Sequence, residues 1–299
     1  MIKQGIRTLF HHLGYEINKI SISPGETFSG RKRLDLNDDP PVRNPVWPLP
    51  RRPNGLSDEE IRKEFAKYPF WYYAYAFEGG ISFPVRHAKP DALINAPERH
   101  VQRFRHFMPY LIQSQNGSLK GKRVLDIACN SGFWSIQCAL LGADVVGFDA
   151  RPELIEQAEM IKSIVGVNNV TFKVLEFHAM SPQSLGGTFD IVLNLGILYH
   201  LSDPFEALQR TKTMARKNIL LDTAVFRSDN PVIQLRWEEP MMDIRTAYRA
   251  GIVAFPSKNS INLMLRHINV AEWFEIPIRT GAIPRDYLEQ RRTAWLIKV

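Results

Sequence analysis

At 299 residues the chain can fold as one well-packed domain with substantial additions or as two small domains, and its 44% hydrophobic and 23% charged residues exclude a disordered or fibrous class. No apolar run approaches the roughly 20 residues needed to span a bilayer, and MIKQGIRTLFHHLGYEI lacks a signal-peptide core and cleavage site, so a cytoplasmic protein is expected. The net charge of +7 is uneven: residues 1–120 hold 18 Lys and Arg against 12 Asp and Glu, residues 121–226 hold 9 against 11, and residues 227–299 hold 11 against 8. A basic excess outside a neutral middle suits an anionic partner such as RNA, a nucleotide sugar or a lipid-linked glycan, with plain solubility as the competing reading.

Residues 1–56 open amphipathically and continue into GRKRLDLNDDPPVRNPVWPLPRRPNG, which suits neither a long helix nor a central strand; an extended arm or linker is expected. Ser57 and Glu60 have capping-box spacing, predicting a helix to about Tyr68. The aromatic run Phe70, Trp71, Tyr72, Tyr73, Tyr75, Phe77 follows and is broken by Gly79 and Gly80. A second helix is predicted from about Pro97 to Leu111, where Val101, Phe104, Phe107 and Met108 recur at helical spacing and read as packing. Residues 57–121 are therefore expected to form a helical and aromatic cap.

From Arg123 the pattern alternates between strand and helix. Val124, Leu125 and Ile127 suit a strand buried on both faces, with Asp126 near its carboxyl end. The loop Cys129–Gly132 leads into a helix over about 131–141, which Gly142 can stop, and residues 144–149 form the next strand. Asp149 stands 23 positions after Asp126, where a βαβ unit places the acid that accepts hydrogen bonds from ribose hydroxyls. A dinucleotide is disfavoured because Gly-x-Gly-x-x-Gly is absent, and an acid at the end of the first strand repels a pyrophosphate but suits a cationic amino-acid group.

Further on, a helix over about 152–165, strands 170–176 and 189–194, a helix 204–215, strand 218–225, a helix 257–267 and strands 270–276 and 293–299 are predicted. The fold class is α/β: a doubly wound, Rossmann-like seven-stranded sheet with an antiparallel last strand, the final two strands reading as a hairpin that supplies the antiparallel edge, plus an N-terminal helical and extended cap. Its domain covers residues 122–299 with an insertion at about 227–256. Cys129 and Cys138 are too few and too badly placed for a disulfide framework or a zinc site, so no metal is expected.

In FDIVLNLGILYHLSDPFEAL the strand ends in Asn194, Leu195 and Gly196, at the carboxyl edge where α/β sheets bind ligands, which brings Tyr199 and His200 near the reacting centre. His200 suits a general base or an acceptor-orienting group for an oxygen nucleophile; a structural histidine is the competing reading. The aromatic run and residues 227–256, with Arg236, Trp237, Glu238 and Tyr248, are long enough to roof that edge. Aromatics beside arginines suit stacking on nucleobases or sugars, while core packing competes for each residue.

The string LDIACNSGFWS resembles motif I of the class I S-adenosyl-L-methionine (SAM) dependent methyltransferases, whose Asp-x-Gly-x-Gly-x-Gly is met by Asp126, Ala128, Asn130 and Gly132. With FDIVLNLGILYHLSDPFEAL, AFPSKNSINLMLRHI and EQRRTAW in matching order, residues 70–299 resemble the family that includes the tRNA wobble-uridine carboxymethyltransferase and the 5-methoxyuridine methyltransferases. The resemblance implies SAM as cofactor and a donor contact at Tyr199, and it aligns a family arginine with Arg292. ERHVQRFRHFMPYL lacks the lysine and tryptophan pattern that holds the donor carboxylate in carboxymethyl-transferring members, so ordinary SAM is expected.

On this basis Asp126 and Gly132 are assigned to the methionine end, with Ala128, Cys129, Asn130 and Phe133 also cofactor-binding, Asp149 to the ribose, Ala150 and Arg151 to the adenine flank, and Glu176 and Phe177 to the adenine edge. Asn194 completes the cofactor set. His200 and Tyr199 are the catalytic candidates; Trp71, Tyr73, Tyr75, Trp237, Tyr248 and Arg292 are the acceptor candidates. The opening IRTLFHHLGYEINKI is similar to the starts of methyltransferases found with glycan-assembly enzymes. The expected reaction is O-methylation of a small-molecule or glycan hydroxyl, with a tRNA wobble uridine as the alternative acceptor and SAM binding without transfer as a third reading.

Overall fold

The computed structural model describes residues 40–86, 98–239, 251–278 and 283–299, all within the unit Arg33–Val299. Most of the expected arm, and Tyr248, lie outside the described residues. Extended residues 46–52 run along the body: Val46 exchanges hydrogen bonds with the Gln137 side chain at 2.8 and 2.9 Å, and the Arg52 N–H donates to the Ile164 carbonyl at 2.8 Å. The capping box starts α1 (Asp58–Ala66), with the Glu60 N–H donating to Ser57 Oγ at 3.3 Å and the Ser57 N–H to Glu60 Oε2 at 2.7 Å. Gly79 and Gly80, at φ 89° and 86°, turn β1 (Tyr75–Ala76) into an antiparallel pair with β2 (Ser82–Phe83). Helix α2 (Arg99–Ser114) then buries Phe104, Phe107, Met108, Leu111 and Ile112.

The alternating segment forms β3 (Arg123–Ile127), α3 (Phe133–Leu140), β4 (Asp144–Asp149), α4 (Pro152–Val165), β5 (Val170–Val174), α5 (Pro182–Leu185), β6 (Phe189–Leu195), α6 (Pro204–Met214) and β7 (Ala215–Ala224). An inserted antiparallel pair, β8 (Ile233–Glu238) and β9 (Gly251–Pro256), precedes α7 (Lys258–His267), β10 (Glu272–Glu275), α8 (Arg285–Leu288) and β11 (Arg292–Lys298). Seven strands pair in the order β10-β11-β7-β6-β3-β4-β5. Neighbours from β7 to β5 are parallel, and β11 runs antiparallel to both β7 and β10.

The last strand is reversed as expected, but it lies one position inside the sheet, and β10 forms the edge. Ala294 to Ile297 of β11 are fully buried while the β10 residues are half-buried, so the more apolar strand takes the place covered on both faces. Side-chain alternation sends Val124, Ile191, Leu193, Leu220, Ala294 and Leu296 into a core with α2, α3 and α4. Leu125, Ile127, Val192, Ile219, Leu221, Trp295 and Ile297 enter a second core with α6 and α7. Burying one such side chain contributes about 1.5–3 kcal/mol, so this two-sided packing holds the strand ends and their loops in a fixed frame. No described helix is long and apolar enough to cross a membrane.

Candidate active site

The carboxyl ends of β3, β4 and β6 open onto one cleft, lined by Ala128, Asn130, Asp149, Arg151, Leu195, Gly196, Ile197, Tyr199 and His200 together with Tyr72, Tyr73, Arg103 and Arg292. The loop after β3 keeps a left-handed backbone at alternate positions, with φ 52° at Ala128, 52° at Asn130 and 82° at Gly132. That conformation costs an L-residue on the order of 1–2 kcal/mol, less for asparagine, which bonds locally; Asn130 Oδ1 accepts from the Ser131 N–H at 2.8 Å. Tyr75 supports the loop, its hydroxyl donating to the Ser131 carbonyl at 2.7 Å. A Cβ on Gly132 would lie 2.8 Å from the Phe172 ring and 3.0 Å from Ala158 Cβ, so close packing requires this glycine.

Asp149 ends β4 with its carboxylate oriented by two backbone donors, the Asn130 N–H to Oδ2 and the Arg151 N–H to Oδ1, both at 3.1 Å. Each oxygen keeps a second lone pair for a further donor. Burial pushes the Asp149 pKa up against those hydrogen bonds.

Opposite chemistry gathers around β7 and β11. Asp222, fully buried, pairs with Arg103, accepts from Arg292 Nε at 3.0 and 3.2 Å, and takes the Tyr287 hydroxyl at 2.9 Å. Burial alone would raise the Asp222 carboxyl, but the Arg103 and Arg292 guanidinia hold it below the usual carboxylate value. Gly196, at φ 117°, leaves room for Arg292, whose Nη2 would lie 2.9 Å from a Cβ there. The Arg292 guanidinium sits 5.4 Å from the Tyr199 ring centroid, and burial raises the Tyr199 phenol. His200 turns Nδ1 to Glu238 Oε2 at 2.9 Å. The cleft thus has an oriented acid at one end and an imidazole, a phenol and two guanidinia at the other.

Residues 118–263 match the family model described as a methyltransferase domain. That stretch is thus similar to a methyltransferase domain. A tRNA U34 carboxymethyltransferase of Alteromonas mediterranea is 27% identical over 186 residues, covering 60% of this chain and 52% of that protein. A ubiquinone biosynthesis O-methyltransferase of Bordetella parapertussis is 34% identical over 107 residues, covering 35% of this chain and 43% of that protein. The chain therefore spans about half the length of these curated relatives. The N-terminal domain of EvdMO1, solved in the presence of SAH and D-fucose, superimposes with a TM-score of 0.63 at 21% identity, covering 83% of this chain and all of that one, a likeness of fold.

The cleft brings together Ala128, Asn130, Asp149, Arg151, Tyr73, Tyr199, His200 and Arg292 of the expected site residues. Asp126 does not line the cleft: strand alternation turns it beneath α3, where it accepts from Ser135 Oγ at 2.6 Å, and burial pushes its pKa up to about 7. Cys129, Gly132, Phe133 and Ala150 are also absent from the lining; Phe133 packs edge-on to His100 at 4.4 Å. Strand β5 ends at Val174, and the turn Phe177–Ala179 directs Phe177 into the core with Phe148 and Met180, so neither Glu176 nor Phe177 reaches the cleft. Asn194 points to α6 and donates to Thr211 Oγ1 at 3.1 Å.

Among the acceptor candidates, Trp71 is 1% exposed, stacked on Phe65 at 4.3 Å, and Tyr75 is buried beneath the loop it supports. Trp237 is 66% exposed, because strand alternation that aims Glu238 at His200 aims Trp237 outward. Tyr72 of the aromatic run and Leu195 and Gly196 of the strand end also line the cleft, and Arg103 and Ile197 line it without having been expected there. Arg103 carried a signal, a guanidinium among the apolar helix positions Val101, Phe104 and Phe107. So did Asp222, an acid ending the apolar strand NILLD.

Proposed function

We propose that the protein is a SAM-dependent methyltransferase that methylates a hydroxyl of a small-molecule or glycan acceptor in the cytoplasm, with residues 57–121 as the acceptor-side cap. The observation that carries this reading is one cleft shared by the oriented Asp149 carboxylate and the His200 imidazole. The remaining lone pairs of Asp149 fit a ribose diol, and the left-handed loop at Ala128 and Asn130 suits the amino-acid end of the same cofactor. Arg151 flanks the adenine side and Tyr199 the donor group. SAM, when bound, supplies an electrophilic methyl group. His200 accepts the hydroxyl proton, while Tyr72, Tyr73 and Tyr199 exclude water and align the acceptor.

The O-methyltransferase named above and the sugar beside the EvdMO1 domain support an oxygen acceptor of small size. A tRNA wobble uridine is the second reading, supported by the name of the Alteromonas mediterranea relative and by the basic excess of residues 1–120. Incubation with methyl-labelled SAM and fractionated lysate separates the two. Label in lipid-linked glycan or small metabolites is expected; label confined to RNA overturns the preferred acceptor.

A further inference from the structure

The inserted strand pair touches the cleft through Glu238 of β8, at His200, and Phe255 of β9, at Tyr199. Register pairs Gln234 with Phe255, Arg236 with Val253 and Glu238 with Gly251, so these share one face of the pair. Val253 is buried, the Phe255 ring lies 5.4 Å from Tyr199, and the Arg236 guanidinium sits 4.2 Å over Phe255. The Ala254 N–H donates to the Leu201 carbonyl at 3.1 Å, which ties β9 to the residue that follows His200. Odd-numbered Ile233, Leu235 and Trp237 face outward and are exposed. The hairpin is therefore anchored beside the turn Leu198–His200, with Glu238 as its carboxylate contact to the ring.

We propose that Glu238 is a positioning residue that holds the His200 ring as its Nδ1–H tautomer. An ionised carboxylate accepts and does not donate, so a 2.9 Å contact at Nδ1 requires the proton there and leaves Nε2 with its lone pair. Both partners are largely withdrawn from water, at 10% and 22% side-chain exposure, which favours a persistent contact over a fluctuating surface pair. The other charged or titratable groups on the cleft are Tyr72, Tyr73, Arg103, Asp149, Arg151, Tyr199 and Arg292; apart from Asp149 these are phenols or guanidinia, and Asp149 is oriented by its own backbone donors. The sheet thus supplies the imidazole, and the insertion sets which nitrogen can take a proton. This inference deepens the proposed role of His200 and rests on it.

The test is nitrogen-15 NMR of the imidazoles at about pH 8.5, with the His200 signals assigned by their loss in H200N. Wild-type protein is expected to show Nδ1 protonated and Nε2 bare. E238A moves the ring toward Nε2–H, and E238Q, whose amide oxygen still accepts, keeps Nδ1–H. A wild-type ring already in the Nε2–H form, or a tautomer unchanged in E238A, overturns the inference. Folding of each variant is checked by thermal melting and by SAH binding. Once an acceptor is in hand, E238A is expected to lower kcat about 10- to 100-fold with KM within about twofold, a part of the roughly 100- to 10,000-fold that a general base contributes. A tautomer that moves while kcat stays constant leaves the positioning role standing and overturns the base role of His200, so the two failures are distinct.

Discussion

Replacing Asp126 by asparagine perturbs a carboxyl that is 1% exposed and whose one side-chain donor is Ser135 Oγ. Burial raises its pKa from the usual 3.8 to about 7 in the folded chain. Between those values the folded protein keeps a proton that the unfolded chain has released. Stability from this group is therefore greatest below pH 3.8, falls as the pH rises, and levels off above about 7. Each unit corresponds to 1.36 kcal/mol, so the full penalty at pH 8 is about 4 kcal/mol. D126N lacks the titration and should gain stability over wild type by that amount between pH 4 and pH 8, on top of a constant offset for the new amide. Urea unfolding of both proteins at several pH values measures the difference directly. A wild-type to D126N gap that stays flat across the range would refute the assignment of a buried, late-ionising acid.

Three other outcomes follow from side chains in and around the cleft. D222N leaves Arg103 and Arg292 buried without their carboxylate and is expected to cost about 3–5 kcal/mol in urea unfolding, while replacing all three by apolar residues recovers most of it; a D222N loss under about 1 kcal/mol would count against the pairing. W71A should lose about 3–5 kcal/mol from the aromatic core, whereas W237A should stay within about 0.5 kcal/mol; equal losses would contradict their opposite burial. D149A removes the expected ribose acceptor and should weaken SAH binding about 10- to 100-fold by calorimetry with an unchanged circular dichroism spectrum; unaltered binding would remove Asp149 from the donor site.

Local chemistry in the chain announced the strands. Val124, Ile191 and Leu220 lie in runs apolar on both faces, and the 144–149 and 152–165 segments end where residue pattern and caps predicted. Motif spacing likewise located Asp149, Tyr199 and His200, since each follows directly from the end of a strand. Residues whose roles depend on distant partners were hidden. The run Trp71, Tyr73, Tyr75 reads as one aromatic patch, yet only Tyr73 lines the cleft, because the others meet Phe65 and Ser131, neighbours fixed by tertiary packing. Trp237 and Glu238 differ by one step of strand alternation, and that phase is set by pairing with β9. Ala128 and Asn130 looked like lost glycines, but the backbone keeps the glycine-like conformation through them.

Strand β11 enters between β7 and β10, both of which precede it in the chain. Because β11 follows both in the chain, the seam between β7 and β10 can be filled by its native strand only once this segment is present. Arg292, its first residue, arrives in the same event and meets Asp222. A chain lacking β11 has neither a sealed sheet nor a finished wall to its cleft, so closure of the sheet and of the cleft rests on the same strand.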